Sequence, residues 1–311
     1  MAGETLRILT WNLFHGRDGL PGLGATCAST LLGRPVDDGV HVHLNRKLTG
    51  LMADRVRSWA PDLCALQEVP TAAVREIVAR TGMLAVGATT GPLIGPRRLR
   101  DALAARNPDL WRTHEGNANL LLLGPALALV PGSGRAVRLN PPGEIVRAAS
   151  ELGLEAGELL RYLPEPRKAV VSRLRTASGA ELAAASVHLH NARHPELIVR
   201  ELARATEALE GTARGAPMVL AGDLNARPAH PAIAAAAAMG WDVAAAPSGR
   251  IDRVLTRGLE VVEPERALPA AGREVAVTFA GRTRRVRLSD HDPVGAVVRV
   301  SGSPAEGRAG R

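Results

Sequence analysis

Short apolar runs that stop at a carboxylate, an amide or an imidazole recur along this chain, and that recurrence limits its fold more than any other feature. Ala216-Pro217-Met218-Val219-Leu220 leads to Asp223 and Asn225, and Leu6-Arg7-Ile8-Leu9-Thr10-Trp11 leads to Asn12. Asp62 to Gln67 leads to Glu68, and Ser186-Val187 leads to His188. Ile251-Asp252-Arg253-Val254-Leu255 carries an acid within it, and Asp290 and His291 precede a last strand over 294–300. Runs of this length bounded by turn residues read as buried strands. A carboxylate straight after such a run is a poor core residue, because burying it unpaired is costly.

Helical spacing separates these strands. Leu44, Leu48, Leu51, Met52, Val56 and Trp59 place an amphipathic helix over 45–59, ended by Pro61. Further helices are expected over 71–81, 97–106, 194–210 and from Arg227-Pro228 to Gly240, with one or two between 143 and 163. Lys168–Leu174 and Glu181–Leu189 read as a hairpin turning at Ser178-Gly179. Strands are also expected at 83–88, 117–123, 259–263, 273–279 and 283–288. The pattern is α/β, with a crown of polar residues on the strand ends, where α/β proteins place their sites.

An apolar share of 46% over 311 residues supports a sizeable core. With no run of 18 apolar residues and no basic-then-apolar start, neither a membrane span nor a signal peptide is expected, and the location expected is cytoplasmic. Two cysteines, Cys27 and Cys64, make no disulfide framework. The net charge of +8 suits a polyanionic partner, but all the basic residues except Lys47 and Lys168 are arginines, as a compositional bias would produce. Aromatics, at 2%, are too few to furnish a stacking platform for single-stranded bases. The tail from Ser301 is expected to be disordered.

Asp223 and Asn225, two residues apart, fall on one side of an extended segment, where the acid can hold a hard metal or take a proton and the amide can bind a phosphoryl oxygen. They also read as an ordinary polar turn. The same periodicity puts His188 and His190 on one face. His41 and His43 read as a polar surface edge, with a metal pair as the alternative. Hydrolysing a phosphodiester requires charge neutralisation, a group to orient water and a stabiliser for the leaving oxygen. Oxygen-rich donors suit Mg²⁺ or Mn²⁺. An imidazole beside a carboxylate, as His291 would be if Asp252 reached it, is held in one tautomer.

These residues sit in seven motifs: TWNL at 10–13, LQEV at 66–69, GNANLL at 116–121, SVHLH at 186–190, GDLN at 222–225, IDRVL at 251–255 and SDHDPV at 289–294. In this order they resemble the endonuclease/exonuclease/phosphatase family, the magnesium-dependent superfamily of DNase I, inositol polyphosphate 5-phosphatases and neutral sphingomyelinases. The resemblance implies a four-layer α/β sandwich: two mixed β-sheets flanked by helices, with the site at one edge, over residues 1–300. It makes Glu68 the main metal ligand, with Asn12 beside it and Asp290 as a second carboxylate. Asp223 would orient or deprotonate water, and Asn225 would bind phosphate. His291, oriented by Asp252, would contact the scissile phosphate, and His188 would sit near the leaving group. Asn117, Asn119 and His190 are assigned to substrate binding.

The chain departs from the family pattern at Leu224, where GDFN has an aromatic, and in the segments 18–43 and 131–165, which match nothing and read as insertions. The leading reading is a divalent-metal-dependent phosphoesterase, a nuclease acting on DNA and working as a monomer. A phosphatase or phospholipid phosphodiesterase of the same family is the alternative. A zinc hydrolase built on His188, His190 and His194, or an inactive binding protein, ranks below these.

Overall fold

The computed structural model describes residues 3–19, 33–91, 95–111, 116–155, 157, 166–243 and 250–301. Expectations for the tail beyond Ser301, for residues 20–32 of the 18–43 loop and for helix beyond 157 fall outside these residues.

Two six-stranded sheets form the centre. The first runs β13 (Glu260–Ala267), β16 (Val294–Val300), β1 (Glu4–Asn12), β4 (Leu63–Pro70), β6 (Asn117–Leu123) and β5 (Leu84–Thr89). The second runs β12 (Asp252–Arg257), β11 (Met218–Asp223), β10 (Glu181–His188), β9 (Lys168–Thr176) and β7 (Leu127–Leu129), with β8 (Arg135–Arg138) also on β9. Each sheet is mixed: β1 and β4 are parallel, as are β10 and β11, and the other pairs are antiparallel. Two small ribbons, β2 (Val36–Asp37) with β3 (Val42–His43) and β14 (Glu274–Phe279) with β15 (Arg282–Arg287), stand apart from the sheets.

Strand alternation builds the layers. Leu182 and Ala184 of β10 face inward with Val219 and Ala221 of β11, against Leu6, Ile8, Leu63 and Ala65 of the other sheet. Their neighbours Ala183, Ala185 and Leu220 face outward, onto Ile198, Leu202 and Leu209. Those three belong to the helix Pro195–Ala213. On the far side Leu9, Trp11, Cys64 and Leu66 pack on Met52, Val56 and Ile77. These come from the helices Thr49–Trp59 and Val74–Thr81. A period of two that feeds two different apolar layers is what a sheet buried on both faces requires. The result is the expected four layers, helix, sheet, sheet, helix.

The segment expected to be an insertion after 131 is partly sheet: β8 extends the second sheet along β9, and Pro142–Leu152 forms a helix. Four residues of β8 are too few for alternation to show in the sequence. The Ala-rich helix begins at Pro231, later than expected, capped by the side chain of His230, which accepts from the Ala232 amide. Among the described residues no helix is long and apolar enough to cross a membrane.

Candidate active site

The C-terminal ends of both parallel pairs open at one edge of the sandwich. β1 delivers Asn12, β4 delivers Glu68, β10 delivers His188 and β11 delivers Asp223. Asp252 opens β12 directly opposite Asp223, and the loop before β16 supplies Asp290 and His291.

Asp223 is 2% exposed and central. Its Oδ2 accepts from Asn12 Nδ2 at 3.1 Å and lies 3.6 Å from His188 Nε2 and 3.9 Å from His291 Nε2. Burial and the neighbouring Asp252 carboxylate push its carboxyl up to about 7, against the pull of His291, the Asn225 amide and Asn12. His291 donates from Nδ1 to Asp252 Oδ2 at 2.7 Å. Burial alone would lower this imidazole, but the Asp252 hydrogen bond and the charges of Asp252, Asp223 and Asp290 outweigh it and raise it to about 10. One ligand atom from each of Asp223, Asp252 and His291 lies within 4.8 Å of the others.

Ser289 holds the His291 loop. Its hydroxyl donates to the Asn12 carbonyl at 2.7 Å and accepts from the His291 amide at 3.1 Å. Trp11 Nε1 donates to the His291 carbonyl. A strand end of one sheet and the loop before β16 are thereby fixed relative to each other.

Glu68 does not lie beyond its strand, as its sequence suggests, but within it. Residues 67 and 68 of β4 oppose the single residue 119 of β6, between the pairs Leu66–Leu120 and Val69–Ala118. That is a β-bulge, and Glu68 adopts a left-handed φ of 50° in it. The extra residue lets Val69 keep the helix-side core while Glu68 turns to the cleft. Its Oε1 is 3.7 Å from His188 Nε2, beyond hydrogen-bond reach, and its Oε2 is 3.0 Å from His15 Nε2. Burial would raise this carboxyl, but His15, His188 and His291 hold it well below the usual range. His188 itself is pulled well below an ordinary imidazole by burial and by the charge of Arg167, with Glu68 opposing.

His15 was not legible as a site residue. It occupies a tight turn after β1 with φ of 57°, and its Nδ1 meets Asn117 Oδ1 at 2.8 Å. A histidine three residues past a strand end carries no periodicity that separates it from a loop residue. Arg167, just before β9, is buried and acts on His188 through its charge, and no motif or spacing in the sequence marks it.

Three readings need correction. Asp223 and Asn225 are not on one side of an extended strand: β11 ends at Asp223, and Asn225 has a φ of 49°. The Asn225 amide N–H donates to Asp223 Oδ1 at 2.9 Å and its side-chain Nδ2 to the Leu189 carbonyl at 2.8 Å, so the pair closes a turn at the site. His190 does not follow His188 into the cleft: β10 stops at His188, and the His190 ring is directed to the 195–213 helix. His190 bonds Glu201 of the 195–213 helix through Nδ1 at 2.5 Å and through its backbone amide at 2.9 Å. Asn119 is fully buried and donates to the Lys168 carbonyl at 2.8 Å, joining the sheets beneath the cleft.

His188, His190 and His194 form no group of converging ligand atoms among the described residues. The other histidine pair is structural as well. His41 meets Glu274, and His43 meets Asp18 with both side chains fully buried.

Below the cleft lies a buried polar layer. Gln67 donates to Ser186 Oγ at 3.2 Å across the sheets and accepts from Thr10 Oγ1 at 3.3 Å. All three residues have no exposed surface. They stand one or two positions before Glu68, His188 and Asn12, so the strand ends are pinned by a shared hydrogen-bonded layer.

The model of the Endonuclease/Exonuclease/phosphatase family matches residues 9–291. No curated protein matches the chain. Solved structures match its fold. An endonuclease/exonuclease/phosphatase family protein from Bacteroides thetaiotaomicron is 13% identical with a TM-score of 0.61, covering 96% of each chain. The catalytic domain of human Nocturnin, with bound sulfate, is 16% identical with a TM-score of 0.58, covering 96% of this chain and 95% of that one. The mannosyl-6-phosphatase Bt3783 of Bacteroides thetaiotaomicron is 14% identical with a TM-score of 0.58, covering 94% and 99%.

Proposed function

The chain belongs to the endonuclease/exonuclease/phosphatase family of phosphoester hydrolases, and on that premise we propose that it hydrolyses phosphodiester bonds with a divalent cation, as a cytoplasmic nuclease acting on DNA. The observation that carries this reading is the meeting of Asp223, Asp252 and His291 beside Asn12, Glu68 and His188 at one sheet edge.

The donors fit a hard cation. Glu68 keeps Oε1 clear of hydrogen bonds at 3.7 Å from His188, Asp290 is exposed, and Asn12 offers an amide oxygen already oriented by the Phe14 amide. Oxygen donors of this kind suit Mg²⁺ or Mn²⁺. When bound, such an ion neutralises charge on the phosphoryl and leaving oxygens.

The chain's own residues supply the rest. Asp223, raised to about 7, has the basicity a proton acceptor needs near neutral pH and takes the proton of the attacking water. His291, kept protonated by Asp252, donates from Nε2 to a non-bridging phosphate oxygen. Asn225 spends one N–H on Leu189 and offers the other to the same phosphate. His188, between Asp223 and Glu68, stands at the leaving oxygen. Asn117, tied to His15, borders the substrate side. The net charge of +8 favours a polyanionic substrate over a neutral one.

The test compares bis-p-nitrophenyl phosphate with p-nitrophenyl phosphate, in Mg²⁺ and in EDTA. Cation-dependent turnover of the diester supports the reading, and turnover confined to the monoester assigns a phosphatase instead.

A further inference from the structure

Two non-glycine residues in left-handed backbone face each other across the cleft floor. His15 has φ of 57° and Glu68 φ of 50°, and their side chains meet at 3.0 Å. Such conformations cost about 1–3 kcal/mol each and persist where the surroundings over-determine them. Here they do. The His15 carbonyl accepts from Lys47 Nζ at 2.9 Å, and the Gly16 carbonyl from the Leu48 amide at 2.7 Å. The side chain, buried, is held on its other side by Asn117. On the opposite face of the contact, the bulge in β4 holds Glu68.

Hydrogen-bond chemistry fixes what the ring can do there. The Glu68 carboxylate can only accept, so Nε2 carries a proton and donates to Oε2; Nδ1 then accepts from the Asn117 amide when the ring is neutral, or donates to the Asn117 oxygen when it is an imidazolium. One carboxylate oxygen is therefore occupied and the carboxylate plane is fixed. The other oxygen, Oε1, is left directed at the cleft, 3.7 Å from His188.

We infer that His15 is a positioning residue for cation binding: through the chain Asn117–His15–Glu68 it presents Glu68 Oε1 as a single, pre-oriented cation ligand. This rests on the reading of Glu68 as the principal metal ligand. Partners of this kind commonly alter metal affinity about 10–100-fold when removed.

The test is Mn²⁺ binding to the purified full chain, measured by isothermal titration calorimetry without substrate, for wild type, His15→Asn, His15→Gln and Glu68→Gln. Asn tolerates left-handed backbone and places its amide where Nδ1 stood, so His15→Asn keeps the Asn117 link and loses the donor to Glu68. Gln places its amide N–H near the Nε2 position and keeps that donor. The expected result is an affinity loss of about 10–100-fold in His15→Asn, most of it recovered in His15→Gln, with binding abolished in Glu68→Gln. Wild-type affinity in His15→Asn beside lost binding in Glu68→Gln overturns the inference and leaves Glu68 as the ligand. Wild-type affinity in Glu68→Gln overturns the underlying reading instead.

Discussion

His291 and Asp252 are joined by a 2.7 Å hydrogen bond between residues 39 positions apart, one on a loop of the first sheet and the other at the start of a strand in the second. The bond spans the two sheets at the cleft, so the orientation of the His291 imidazole depends on how the sheets are packed. Replacing Asp252 by Asn removes the charge that keeps the imidazole protonated. Asp252→Asn is expected to lower kcat about 10²–10⁴-fold with a small change in KM, read by steady-state kinetics on a diester. An unchanged kcat would show that holding this imidazole protonated does not matter.

The same pair sets a pH dependence of stability. The folded imidazole titrates at about 10 against an ordinary 6.5, so the proton is bound more tightly in the folded state. The stabilisation is complete below pH 6.5 and is lost as pH rises towards 10. In EDTA, the melting temperature of the wild type is expected to fall across that window, and His291→Ala should flatten the decline. A parallel decline in both proteins would assign it to other groups.

Gln67 ties Thr10 to Ser186 in a layer with no access to water. Gln67→Ala leaves both hydroxyls without these partners and opens a cavity. A loss of about 2–4 kcal/mol is expected by urea denaturation. Because Gln67 adjoins Glu68, Mn²⁺ affinity should fall as well. Stability close to wild type would mean that the two hydroxyls find other partners.

Gly222 is required by strand spacing rather than by a turn. A Cβ added there would lie 1.9 Å from the Val187 carbonyl oxygen. Gly222→Ala must push β11 off β10 immediately before Asp223, at a cost of about 1–3 kcal/mol or more. Reduced melting temperature and reduced turnover are expected together. Full activity in this variant would mean that the cleft tolerates a shift of β11.

Most of this architecture is legible in the sequence because the central strands of both sheets are buried on both faces. Short apolar runs and helical periodicity then mark the elements, and polar residues mark the strand ends, as at Asn12, His188, Asp223 and Asp252. What could not be read has local causes. The bulge at Glu68 inserts one residue without changing composition, so the acid looked terminal when it lies inside the strand. The left-handed Asn225 turned an expected strand pair into a hydrogen-bonded turn. His190 followed the alternation of its strand only on paper, because β10 ends two residues earlier and Glu201, eleven residues on, captures the ring. His15 is brought to Glu68 by a turn conformation, which no spacing rule encodes.

The measurement that tests the central claim most directly is nicking of supercoiled plasmid DNA by purified protein in Mg²⁺ and in EDTA, run beside Asp223→Asn and His291→Ala. Both variants should melt cooperatively, which separates loss of chemistry from loss of fold. The account predicts nicking by the wild type in Mg²⁺, none in EDTA, and none by either variant. Nicking that persists in folded Asp223→Asn or His291→Ala would contradict it.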